Sequence, residues 1–175
     1  MRNPFLALVL TSLLLSGCGY TTRSALPPSV KTIHVAPFVN KIDYTTQKER
    51  TIYFPLLEVE VHKAIVDRFL FDGNLKIAEP EWANLSLKGE LLGYERLPLR
   101  YKDNEQDVEE FRLHVIVNLE LWDNRHNEML WREDSFVGEA TYFVSGPLAK
   151  SEIDAVKEAL TDLARRVVER TIENW

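Results

Sequence analysis

Apolar residues along this chain recur at two spacings, two apart for strands and three or four apart for helices. Ile33, Val35 and Pro37 alternate with Thr32, His34 and Ala36, which predicts a first strand ending near Pro37-Phe38. Residues 39–50 are polar and read as loop. Leu57, Val61, Ile65 and Phe69 step by four, widened by Phe54 and Ala64, and predict a helix starting near Phe54-Pro55 and stopping before Asp72-Gly73-Asn74. Leu85, Leu87, Gly89, Leu91 and Gly93 then alternate with Ser86, Lys88 and Glu90, which predicts a second strand; Leu75-Lys76-Ile77 is a candidate for one more, very short. Residues 95–107 are strongly charged and read as a hairpin loop.

The clearest alternation runs from Phe111 to Leu121, with the odd-numbered residues on the core face. Asp123-Asn124-Arg125-His126-Asn127-Glu128 reads as a tight turn, and Met129–Val137 returns as a fourth strand. Residues 138–150, with Gly138, Gly146 and Pro147, read as loop. Ser151 followed by Asp154 is a helix-start signal, and Ile153, Val156, Leu160, Leu163 and Val167 predict a second helix to near the C-terminus. The order β-α-β-β-β-α predicts an α+β two-layer sandwich, with two helices packed on a mostly antiparallel four-stranded sheet.

The first 30 residues follow a different plan. Arg2 precedes an almost purely apolar stretch from Phe5 to Leu15, too short to span a bilayer but suited to a secretory signal. Leu15-Ser16-Gly17-Cys18 follows at once and is similar to a lipobox. Its small residues allow an extended backbone in a peptidase cleft, and its thiol can form a thioether to lipid. Cys18 is the only cysteine, so it has no disulfide partner within the chain. Residues 1–17 are therefore expected to be a lipoprotein signal peptide, residues 18–30 a lipidated N-terminus and tether rich in Thr, Ser and Pro, and residues 31–175 one domain. Gly19, rather than aspartate, follows the cysteine, which resembles the class sorted to the outer membrane.

Composition narrows the function. Removing residues 1–17 leaves 158 of the 175 residues, enough for a core without disulfides. The full chain carries −6, and the loss of Arg2 makes the remainder −7, which argues against nucleic acid as a partner. The histidines at 34, 62, 114 and 126 lack metal-ligand spacing, and there is no G-x-S-x-G, P-loop or dinucleotide fingerprint. The residues thus call for no metal, no cofactor and no catalytic site. Arg96, Arg100 and Lys102 interleave with Leu97, Leu99 and Tyr101. Such a strip can offer charge-assisted hydrogen bonds to phosphates and apolar contact to acyl chains. Arg112 and Arg132 extend it if the strands bring them onto one face.

The chain also resembles the LPS-assembly lipoprotein family LptE. The resemblance runs from Cys18-Gly19-Tyr20 through Ile33–Asn40 (IHVAPFVN), Leu87–Leu91 (LKGEL) and Arg112–Trp131 (RLHVIVNLELWDNRHNEMLW) to the final helix with Ala155, Ala159, Leu163 and Val168. It departs in the strongly polar Lys41–Arg50 segment and in lacking an extension past Trp175. The resemblance implies a non-enzymatic lipoprotein on the periplasmic side of the outer membrane. Such a protein plugs the LptD β-barrel, assists its assembly and helps lipopolysaccharide reach the outer leaflet. Lipopolysaccharide contact is then expected at Arg96, Arg100, Lys102 and Arg132. The rival from another class is a free-standing periplasmic lipoprotein binding peptidoglycan or a small ligand. A lipid-anchored hydrolase would need a nucleophile beside a base, and none is apparent.

Overall fold

The computed structural model describes residues 26–43, 53–102 and 106–173. Cys18, residues 1–17 expected as a signal peptide and most of the expected tether at 18–30 lie outside the described residues. Among the described residues, six strands and two helices follow in the order β1 (Thr32–Val35), β2 (Val39–Asn40), α1 (Leu57–Asp72), β3 (Lys76–Ile77), β4 (Leu85–Tyr101), β5 (Val108–Asp123), β6 (Glu128–Phe143) and α2 (Glu152–Glu173).

The sheet runs β3-β1-β4-β5-β6, with β2 also on β4. The α+β, two-layer, mostly antiparallel expectation holds, but the sheet has six strands rather than four and includes parallel pairs. β4–β5–β6 is an antiparallel meander, whereas β1, β2 and β3 pair in parallel. β1 and β2 act as one interrupted strand along the same edge of β4. The Ala36 and Lys41 N–H groups donate to the Leu87 and Leu91 carbonyls on either side of the break. Pro37 has no N–H to give the ladder. Just past it, Phe38 turns inward over Gly89, where any Cβ would overlap its ring. β3 falls on the very short strand expected at Leu75–Ile77, whereas β2, also of two residues, is too short for alternation to reveal.

The central hairpin is longer than the sequence suggests. Residues 95–101 continue β4, so the two strands of the first hairpin end and begin at Tyr101 and Val108; residues 138–143 continue β6. A β-bulge between Leu91 and Gly93 hides the first extension. Before it, Leu85, Leu87 and Leu91 face the core. After it, Tyr94 and Arg96 stand opposite Val115 and Leu113, so the parity of the inward face switches.

Both helices lie on one face of the sheet. α1 buries Leu57, Val61, Ile65 and Phe69, each contributing about 1.5–3 kcal/mol of transfer free energy. Gly73 ends α1 at φ 76°, a left-handed position that favours glycine, with its N–H on the Phe69 carbonyl at 3.0 Å. At α2 the Ser151 hydroxyl accepts the Asp154 N–H at 3.1 Å, the cap its sequence predicts. The buried stripe of α2 is Ala155, Val156, Ala159, Leu160, Leu163, Ala164, Val167 and Val168; Ile153, expected in it, is exposed. Small residues let α2 approach β6 closely. A Cβ on Gly138 would stand 2.4 Å from the Leu163 Cβ and 2.6 Å from the Ala159 carbonyl oxygen. The odd-numbered residues of β5 from Leu113 to Leu121 are buried beneath the helices, as their alternation predicts.

Candidate functional site

The face of the sheet away from the helices carries no described element. The register gives it Lys88 and Glu90 from β4 and Arg112, His114, Asn118, Glu120 and Trp122 from β5. Arg132 and Glu139 of β6 lie beside Glu120 and His114. Most of these side chains are partly exposed and satisfied by one another. Lys88 lies over the Trp122 ring at 4.9 Å, and His114 stands 3.4 Å from Glu139. A cavity of about 430 Å³ opens beside the β1–β2 break, between Pro37 and Val39 on one side and Lys88, Glu90, Glu120 and Arg132 on the other.

The four cations singled out by sequence do not form one patch. Arg96, re-aimed by the bulge, lies on the helix side. Its guanidinium is 2.8 Å from Glu152 at the start of α2 and 4.8 Å from the centre of the Phe111 ring. Glu152 also accepts the Tyr94 hydroxyl at 2.7 Å and the Tyr142 hydroxyl at 3.3 Å. Burial first, and the neighbouring Glu152 second, push the Tyr94 phenol pKa well up. Burial likewise raises that of Tyr142. This network ties the first turn of α2 to the sheet.

Arg100 lies on the open face, 3.6 Å from Glu110 and over the Phe143 ring at 5.6 Å. Lys102 is exposed at the hairpin end, where its N–H closes the loop on the Asp107 carbonyl at 2.8 Å. Arg132 is held by Asp134 at 2.8 Å and Glu120 at 3.4 Å. It sits opposite Glu120, while Arg100 sits opposite Glu110, so about 33 Å of strand separates them. Arg112, in contrast, shares the open face and the hairpin end with Arg100. Its Nε is buried without a hydrogen-bond partner among the described residues, Glu139 standing off at 3.9 Å.

Apolar groups missed by the sequence reading join this end. Val144, with its N–H on the Glu109 carbonyl, and Leu148 are both exposed beyond the extended β6, near exposed Leu99 and Tyr101 of β4. They were hidden because residues 138–150 read as loop.

The opposite end of the sheet is closed by a different cluster. Asp123 is almost fully buried in the β5–β6 turn and takes two hydrogen bonds from the Arg125 guanidinium, at 3.0 and 2.6 Å. His126 Nδ1 lies 2.9 Å away. The Arg125 hydrogen bonds hold the Asp123 carboxyl far below the usual carboxylate range. Arg125 also donates to the Ser29 hydroxyl at 2.8 Å, fixing where the N-terminal segment meets the domain. His34 and His62 lie within hydrogen-bond distance of the Ala78 and Val35 carbonyls. No three His, Cys, Asp or Glu side chains among the described residues are grouped to hold a metal ion.

Fold and surface together define a two-layer α+β domain with one polar sheet face open and a hairpin end that is both cationic and apolar. The family model described as lipopolysaccharide-assembly matches residues 30–171, and the chain belongs to this LptE family. No curated protein matches the chain. Among solved structures it is similar to protein XCC0632 from Xanthomonas campestris, with 13% identity over 87% of this chain and 92% of that one and a TM-score of 0.57. Hypothetical protein CT253 from Chlamydia trachomatis gives 16% identity, 82% and 96% coverage and a TM-score of 0.49. Rare lipoprotein B from Shewanella oneidensis gives 15%, 78% and 89%, and 0.42. At 13% identity, the likeness to the Xanthomonas protein is one of fold alone.

Proposed function

We propose that this chain is a lipoprotein acylated at Cys18 and held on the periplasmic side of the outer membrane. There it plugs and assists assembly of an LptD-like β-barrel and helps pass lipopolysaccharide to the outer leaflet, without catalysis. Membership of the LptE family carries the reading. The surface is compatible with it. The lumen of a transmembrane barrel is polar, and the open sheet face offers Lys88, Glu90, Arg112, Asn118 and Glu120 to such a wall. An apolar plug face would leave the lumen's polar groups without partners.

The same reading assigns lipopolysaccharide contact to Arg96, Arg100, Lys102 and Arg132, with unequal weight. Arg100 and Lys102 adjoin exposed Leu99 and Tyr101, and so offer phosphate and acyl chemistry side by side. Arg96 and Arg132 would have to leave carboxylates at 2.8 Å. Replacing Arg100 and Lys102 by Gln is expected to weaken capture of lipopolysaccharide on a surface while leaving the unfolding midpoint unchanged. Unaltered capture removes the assignment.

The function itself is tested by affinity purification of the tagged, lipidated protein from detergent-solubilised outer membranes, followed by mass spectrometry. A near-stoichiometric large β-barrel is expected. Recovery of the chain alone from well-extracted membranes would favour a free-standing lipoprotein, with the cavity around Arg132 as its place to hold a small ligand.

A further inference from the structure

The two ends of the sheet differ in their relation to the N-terminus. Leu26 packs against the core, the Val30 N–H closes a turn on the Pro27 carbonyl at 2.9 Å, and Ser29 is held by Arg125 of the β5–β6 turn. The chain therefore joins the domain where β1, β3 and β4 begin and β5 ends. Cys18 is eight residues before Leu26, a reach of at most about 28 Å even fully extended. The β4–β5 hairpin end lies about 50 Å further along the strands.

The end within reach exposes large apolar groups. Phe71, in the last turn of α1, is 81% exposed, and Leu70 beside it 61%. Trp82, in the turn before β4, is 79% exposed. Its carbonyl accepts the Thr32 hydroxyl at 3.2 Å, which fixes it next to the start of β1. Charges around them are balanced: Arg68, whose guanidinium lies 5.4 Å from the centre of the Phe71 ring, Lys31 and Lys76 stand against Asp72, Glu79 and Glu81. An indole with one apolar body and one N–H is suited to the membrane–water interface. No helix among the described residues is long and apolar enough to cross a membrane.

We infer that this end of the domain seats on the surface of the leaflet that holds the lipid, with Phe71 and Trp82 in the interfacial zone of that leaflet. The inference rests on the acylation of Cys18 proposed above. Two or three exposed apolar side chains bind a bilayer only weakly by themselves. A short tether makes the second contact intramolecular, at an effective concentration in the millimolar range. Because the local charges balance and the chain as a whole is acidic, no electrostatic attraction to an anionic leaflet drives the contact, so salt does not weaken it.

The test uses the full lipidated chain reconstituted into phosphatidylethanolamine–phosphatidylglycerol vesicles, with and without phospholipid brominated near the headgroup end of its acyl chains. Bromine quenches only indoles at its own depth. Wild type is expected to float with the vesicles, to be quenched, and to stay quenched at high salt. Trp82→Phe should lose most of the quenchable emission. In that background Ile153→Trp, a reporter at the start of α2 toward the far end, should not be quenched. Flotation with quenching indifferent to Trp82→Phe, or equal quenching at position 153, overturns the contact and leaves the anchor standing. If wild type and Cys18→Ser alike fail to float, the acylation reading falls and this inference falls with it. Trp82 and Ile153 are both exposed, so neither substitution threatens the fold.

Discussion

Gly138→Ala is the sharpest test of how α2 lies on the sheet. The added methyl would meet the Leu163 Cβ at 2.4 Å, the Ala159 carbonyl oxygen at 2.6 Å and the Leu163 Cα at 2.9 Å. Two of these three atoms are backbone, so no rotamer change relieves the overlap. The helix must lift by about 1 Å to reach ordinary contact distance, and a gap of that size forfeits about a quarter to a half of each dispersion contact it opens. Ala155, Ala159, Leu163 and Val167 all lose packing together. Overpacking of this kind costs about 1–3 kcal/mol, and the backbone involvement places Gly138→Ala near 3. For a domain of this size that is a fall in Tm of about 6–12 °C. Urea titration and calorimetry of the purified protein measure it. Gly89→Ala is the control, because the overlapping group there is the Phe38 ring, a side chain that can turn. A Gly138→Ala midpoint within about 0.5 kcal/mol of wild type refutes the seating of α2 on β6, since surface-like changes fall in that range.

Three further outcomes follow from the geometry. Asp123 has a depressed folded-state pKa, so its stabilisation is complete above the unfolded carboxylate value of about 3.9 and is lost as pH falls below it. Asp123→Asn should cost about 1–3 kcal/mol at neutral pH and flatten the acid limb of the stability profile followed by circular dichroism; an unchanged acid limb assigns it to other groups. Tyr94→Phe removes a buried hydroxyl bonded to Glu152 at 2.7 Å and should cost about 1–2 kcal/mol by denaturant titration, with wild-type stability refuting a strong bond there. Asp162 accepts the Glu139 N–H at 3.2 Å and Arg166 donates to the Val137 carbonyl, so α2 covers the outer edge of β6 with its own side chains. Asp162→Ala with Arg166→Ala should bare that edge and produce concentration-dependent self-association in sedimentation velocity; a monomer at all concentrations rejects the sealing role.

What the sequence conveys here depends on whether one residue reports its own environment. The stripe Leu57-Val61-Ile65-Phe69 and the inward run from Leu113 to Leu121 are legible, because burial recurs at a fixed period. The second half of β4 is not. The bulge at Leu91–Gly93 reverses the parity, and the flanking Arg96, Arg100 and Lys102 suggest solvent, although a long hairpin can carry such charges on a ladder. The same bulge decides the fate of the cation group, because it sends Arg96 inward to Glu152 and Arg100 outward to Glu110. The distance between Arg100 and Arg132 was likewise out of reach, since it depends on the register of β5 against both neighbours. Ser151 and Gly73 could be read correctly because a helix terminus must satisfy its own backbone groups locally.

The polarity of the strands links the two proposed surfaces. The segment proposed to carry the lipid joins the sheet where β4 starts, and the cationic and apolar residues gather where β4 ends, about 50 Å away by strand length. A bilayer with its headgroups is about 40–45 Å thick. If the proposed barrel holds the domain with its strands along the membrane normal, and the end with Phe71 and Trp82 clears its rim at one leaflet's headgroups, Arg100 and Lys102 reach the depth of the opposite leaflet. The long hairpin has a use in that arrangement, because a four- or five-residue strand would leave its tip in the bilayer's midplane. Lying flat, the same domain would press Lys88, Glu90 and Glu120 against lipid, at a desolvation cost that exposed phenylalanine and tryptophan at one end cannot offset. Orientation thus follows from where the apolar groups sit relative to the tether, and reach follows from strand length.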